Sequence, residues 1–160
     1  MRVPRSSSVL LFALLLGACG KGSAPPAATT AAATPAGDLT PWQLQHGIGP
    51  ITTPITLGPI DHELQEHGKE FFDLHCGSCH KANERYVGPA LGGVVERRGP
   101  EYVMNMMLAP DSMVARHPEA KKLFATFMLQ MPNLNLTQEQ SRQVLEYLRT
   151  LPAPPATPAQ

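Results

Sequence analysis

At 160 residues, 42% of them apolar, the chain can bury one modest core, and Pro- and Ala-rich tracts at both ends shrink the foldable part further. Lys and Arg number 13 and Asp and Glu number 13, so there is no basic excess from which a nucleic-acid binder could draw its affinity. One domain and no nucleic-acid partner are expected.

The chain opens with Arg2 and Arg5, a short apolar run from Val9 to Leu16 and the small-residue close "LGAC". That order of charge, apolar run and small residues is an export signal over residues 1–18, too short to span a bilayer. "LGAC" resembles a bacterial lipoprotein box, which makes Cys19 the lipidated first residue of the mature chain; an ordinary secretory signal with a chance cysteine is the alternative. Either way the protein is expected to be exported. The resemblance implies a lipid anchor facing the periplasm, and Gly20, where an Asp would favour the inner membrane, leans toward the outer one. Residues 19–37 lack hydrophobic periodicity and are rich in Pro, Ala and Thr, as a tether would be. Residues 38–60 intersperse Pro41, Pro50, Pro54 and Pro59 with isoleucines, which suits an extended arm anchored by Trp42 or a continuation of the linker.

From Asp61 the pattern turns helical. Leu64, Gly68, Phe71, Phe72 and His75 recur at spacings of three and four behind Asp61 as N-cap. "GPEYVMNMMLAP" puts Val103, Met106 and Met107 on one face and stops before Pro110. "PEAKKLFATFML" starts at Pro118 with a stripe of Leu123, Phe124, Phe127 and Met128. "LTQEQSRQVLEYLRTLP" has Thr137 and Gln140 spaced as a capping box, a stripe of Val144, Leu145, Leu148 and Leu151, and a stop at Pro152. No segment shows strand alternation. The expectation is an all-α domain over 61–152 of about four short helices, with irregular connections at 81–100 and 129–136 and a Pro/Ala tail at 153–160.

Four short helices bury little surface, so something else must fill the centre. The stretch "HCGSCHK" supplies the means. Cys76 and Cys79, three positions apart, can form thioethers to two vinyl groups of one haem, while His80 comes up beneath the ring to the iron. At this chain's own residue frequencies the pattern arises by chance in roughly two in a thousand sequences of this length. A structural zinc site lacks its other ligands, a redox dithiol lacks its βαβ setting, and a plain disulfide leaves His80 unexplained. One covalently attached haem c is expected.

With these residues in view, 61–151 resembles class I (monohaem) cytochrome c. In that family a glycine and an aromatic of the first helix pack on an aromatic of the last, which match Gly68, Phe72 and Tyr147 here. "VGPALGG" is similar to the family's Gly-Pro-x-Leu segment. The resemblance implies that the Pro89 carbonyl accepts a hydrogen bond from His80 Nδ1, that Leu91 packs on the ring, and that Arg97, with Arg98 competing, lies near a haem propionate. It also implies a sixth ligand at Met131, in "QMPNLNL", with Met128 and His117 as alternatives. Met104, Met106 and Met107 read as core filler. The sequence departs from the family in an extra helical segment before Met131 and in lacking the tryptophan that many members set against a propionate.

A His/Met-ligated haem has no open position for substrate and exchanges one electron with little rearrangement. The expected function is electron transfer between a respiratory donor and an exported or membrane acceptor, such as a terminal oxidase or nitrogen-oxide reductase. No catalytic acid or base accompanies the motif, so an enzyme is not expected. The alternatives are a ligand-binding sensor or enzyme with a labile methionine, and a structural haem subunit of a respiratory complex. A monomer is expected, and Lys81, Arg85, Arg97 and Arg98 form a basic group that could orient a partner.

Overall fold

A computed structural model of the chain describes residues 39–153; the export signal, Cys19, the whole tether and the tail from 154 lie outside the described residues. Seven helices and no strands make up that part: α1 Pro41–His46, α2 His62–His75, α3 Val94–Arg98, α4 Pro100–Leu108, α5 Pro110–Arg116, α6 Pro118–Phe127 and α7 Gln138–Thr150. None of these helices is long and apolar enough to cross a membrane.

The four expected helices are α2, α4, α6 and α7, and their ends are the expected ones. The Asp61 carboxylate accepts from the Leu64 amide, and Thr137 and Gln140 close a reciprocal capping box. Pro100, Pro110 and Pro118 each sit in the first turn of a helix, where a missing N–H costs nothing. Pro110 both ends α4 and starts α5, so the stretch to Pro118 is helical.

The crossing of α2 and α7 is the backbone of the fold. A Cβ on Gly68 would stand 1.9 Å from the Gln143 carbonyl oxygen of α7, so only glycine lets the two backbones come this close. One turn on, Phe72 meets Tyr147 with ring centroids 5.1 Å apart and planes tilted by 56°. Phe72, Val95, Val103, Met104, Met107, Val144, Leu145 and Leu148 form the main core, while Met106 packs on a smaller cluster built on Tyr102 and Met113.

The arm corrects the expectation of an extended segment on the surface. Thr40 and Gln43 form a capping box that winds 41–46 into α1, and Trp42 stacks on His46 at 3.8 Å. Beyond α1, Ile48 and Ile51 are buried, and this strap's backbone is tied to polar side chains of α4 and, through the Ile48 amide, to the Met113 sulfur of α5 at 3.0 Å. Asn105, fully buried, accepts from the Ile51 amide at 2.9 Å and donates to the carbonyls of Ile51 and His46, each at 3.0 Å. The Glu101 carboxylate accepts from the Ile55 amide at 2.6 Å and lies 3.1 Å from His46 Nδ1. Residues 39–60 therefore belong to the packed domain.

Candidate functional site

α2 delivers its last turn directly into the Cys-x-x-Cys-His stretch. The amides of Cys79 and His80 both bond back to the Cys76 carbonyl, at 3.0 and 2.9 Å, and this tight turn puts both thiols and the imidazole on one wall of a cleft of about 300 Å³. Cys76 and Cys79 are not joined to each other. Burial pushes the Cys76 thiol up to about 11, with Cys79 adding to the effect. A redox dithiol has the opposite character, a depressed thiol.

His80 is oriented from behind. Its Nδ1 lies 3.0 Å from the Pro89 carbonyl and donates to it, which leaves Nε2 as the acceptor nitrogen. Burial lowers the imidazole below its ordinary value, against the opposing effect of the Pro89 bond, so the ring is neutral and ligand-ready at neutral pH. Gly88 makes room for it: a Cβ there would stand 2.6 Å from His80 Cε1. The segment is pinned by backbone bonds from Gly88 to Cys79, Leu91 to Lys81 and Gly92 to Ala82.

Leu91, Val103, Met106, Leu123, Phe127 and Leu148 are among the side chains that line the rest of the cleft. At one end the lining turns polar. Arg97 and Arg98 both reach it; Arg97 donates to the carbonyls of Gly92 and Ala90, and Arg98 pairs with Glu119 at 3.2 Å. The Tyr102 hydroxyl is buried there without a hydrogen-bond partner, and burial raises its pKa so that it stays a donor. Tyr102 was not singled out in the sequence; its one signal was an aromatic four residues after Arg98, at the start of an apolar run.

Of the three candidates for a sixth ligand, Met131 alone lines the cleft. Met128 is the C-cap of α6 in a left-handed conformation with φ 52°, and it is 77% exposed. His117 is 1% exposed, with Nε2 3.2 Å from the Leu44 carbonyl and Nδ1 accepting from the Glu119 amide. The basic residues near the motif are also engaged. Lys81 donates to the Gly77 carbonyl, and Arg85 donates to the Thr126 carbonyl at 2.9 Å while stacking 4.3 Å over Phe127.

The family model described as Cytochrome c matches residues 65–152, more than half of the chain. The chain belongs to the cytochrome c family. Among solved structures it is similar to a cytochrome c from Rhodothermus marinus, with 42% identity and a TM-score of 0.65 over 70% of this chain and 97% of that one. An engineered form of that protein aligns equally well, and the same engineered form bound to a carbene intermediate aligns at 42% identity and a TM-score of 0.62 over the same shares. No match was found among the curated proteins.

The cleft fits a haem on its own chemistry. It offers two thiols and a neutral imidazole on one wall, apolar side chains around them, and at one end two guanidinium groups and an orphaned tyrosine hydroxyl suited to carboxylates. The cytochrome carries covalent haem c through Cys76 and Cys79, and its work is haem-based electron transfer. Among the described residues no three of His, Cys, Asp or Glu come together as a metal-ion site.

Proposed function

We propose that this cytochrome is a tethered one-electron carrier whose haem iron would be held by His80 and Met131. Bound haem would supply reversible one-electron chemistry; the protein's part is to hold the His80 and Met131 donor atoms still and keep water away. The observation that carries the reading is the sorting of the candidates. Met131 lines the cleft, Met128 points to solvent, and His117 has both nitrogens occupied. A soft thioether favours ferrous iron, and with no open coordination position the chain suits transfer rather than substrate turnover.

The proposed setting is a lipid anchor at Cys19 facing the periplasm, outer membrane favoured, with a respiratory donor and an exported or membrane acceptor as redox partners. The exposed rim of Tyr86, Val87, Phe124 and Leu129 beside the cleft suits a docking redox protein more than a nucleic acid, given the balanced charge. A second reading, a ligand-binding sensor or enzyme with a labile methionine, draws on the engineered relative bound to a carbene intermediate.

The deciding experiment is carbon monoxide binding by the reduced holoprotein, together with the sulfur-to-iron band of the oxidised form. Met131→Ala should abolish the band and bind carbon monoxide rapidly, whereas Met128→Ala should change neither. Rapid stoichiometric binding by the unmutated protein would move the sensor reading to first place.

A further inference from the structure

Among the described residues, one side chain outside the segment that carries Met131 makes side-chain hydrogen bonds to it, that of Asp111. Residues 129–136 connect α6 to α7, and among the described residues no backbone hydrogen bond ties 129–134 to the rest of the fold. The segment begins and ends at two left-handed residues, Met128 at φ 52° and Asn135 at φ 53°, the only non-glycine residues with positive φ among those described. Such conformations persist only where the surroundings hold them, and they mark the places where a chain can pivot. Met131 and Leu136 pack on the core, which gives the segment an apolar grip without direction.

Direction comes from α5. The two carboxylate oxygens of Asp111 each accept from a different side chain of the segment: Oδ1 from Gln130 Nε2 at 2.5 Å and Oδ2 from Asn133 Nδ2 at 3.4 Å. Gln130 precedes Met131, and Asn133 in turn accepts from the Asn135 amide at 2.9 Å, beside the second pivot. One carboxylate thus brackets the methionine from both sides.

We infer that Asp111 is a positioning residue that latches the 129–136 segment closed, fixing Met131 in the cleft and setting how readily an outside ligand reaches the haem iron. The inference rests on the reading of Met131 as the sixth ligand. The short bond from Gln130 is charge-assisted at the acceptor, and hydrogen bonds of that kind are the stronger ones; the 3.4 Å bond from Asn133 is the weaker of the two. A bracket of this kind also limits the rearrangement of the iron's surroundings on electron exchange.

The test uses oxidised holoprotein, with imidazole as the incoming ligand and hydrogen exchange across 129–136 as a second readout. Asp111→Ala should speed imidazole binding about tenfold, the loss of roughly one charge-assisted bond, and raise exchange in the segment. Asp111→Asn keeps an acceptor for Gln130 and should stay within about threefold of the parent. Gln130→Ala, which leaves the longer Asn133 bond in place, should give most of the Asp111→Ala effect, and adding it to Asp111→Ala should change nothing further. An Asp111 that served only the N-terminus of α5 would lower the melting temperature without changing imidazole binding, and Gln130→Ala would then be silent; either result overturns the latch. Should Asp111→Ala fail to mature, Gln130→Ala and Asn133→Ala carry the same comparison. A parent without the sulfur-to-iron band would count against Met131 as ligand, while hydrogen exchange would still report on the latch.

Discussion

Gly68→Ala is the sharpest test of how this fold is held. An alanine methyl at 68 would lie 1.9 Å from the Gln143 oxygen, 2.4 Å from its carbonyl carbon and 2.9 Å from the Val144 nitrogen, all inside the 3.0 Å that real Cβ contacts respect. These are backbone atoms of a helix, so no rotamer change relieves the clash and α2 and α7 must separate by about 1 Å. A gap of that size forfeits a quarter to a half of each dispersion contact across the crossing, where Phe72, Val144 and Leu145 are nearly or wholly buried. Overpacking of this kind costs about 3 kcal/mol at the upper end of its usual range, and alanine's better helix propensity returns about 1. The net loss is about 2 kcal/mol, a fall in melting temperature on the order of 10 °C for a domain of this size. Urea denaturation of the oxidised holoprotein, followed by far-ultraviolet dichroism, measures it. A Gly68→Ala protein as stable as its parent, or more stable, would refute the close crossing.

Two other outcomes follow. Burial pushes the Glu101 carboxyl up, but the Ile55 amide, its own backbone amide and His46 outweigh burial and hold it below the ordinary 4.5. A depressed folded value means stability that is present above pH 4.5 and is lost as pH falls through the folded value. Glu101→Gln should flatten the acid limb of stability below that pH, and an unchanged limb in a urea series from pH 6 to 3 would count against the clasp. Cys19→Ser should release the protein from membranes with its haem spectrum intact, and a variant that stays membrane-bound after a salt wash would reject lipidation as the main attachment.

The parts of this structure that were legible in sequence are those fixed by local chemistry or by a short motif. Asp61, Thr137 with Gln140, and Pro118 announce helix ends because orphan amides need partners or no donor at all. Cys76, Cys79 and His80 announce the site by their spacing, and Gly68 with Phe72 and Tyr147 announce the crossing through the family resemblance. The short helices α1, α3 and α5 escaped because five to seven residues are too few for a helical period to stand out. For α1 a signal existed in Thr40, Pro41 and Gln43, a capping box with proline in its first turn. Asn105 was the missed clue to the strap: a lone polar residue inside "VMNMML" is costly unless partnered, and its partners are 54 and 59 positions away. Pattern favoured Met131 over Met128 through Pro132 and the distance to the last helix; the left-handed turn that ends α6 is the physical difference that pattern did not show.

The strap changes what the proposed anchor can reach. The sequence suggested that the domain starts at 61, which leaves some forty residues between Cys19 and the first fixed point. Asn105, Glu101 and His117 hold the chain from Leu44 onward, and α1 is already capped at Thr40, so the first fixed point lies near residue 40. At most about 3.5 Å per residue then gives a leash of roughly 70 Å from Cys19 to the domain, half of what a free arm would allow. Cutting the strap would not simply lengthen that leash. It would leave a buried amide, a buried carboxylate and a buried imidazole without their partners, each at a cost of about 1 to 3 kcal/mol. These buried groups lie on α4 and at the end of α5, the helix that also bears Asp111. Through His117 the arm also meets the end of the helix that bears Asp111. If the proposed latch holds, loosening the His117–Leu44 contact should raise hydrogen exchange in 129–136 as well as in the arm, and exchange confined to the arm would separate the two.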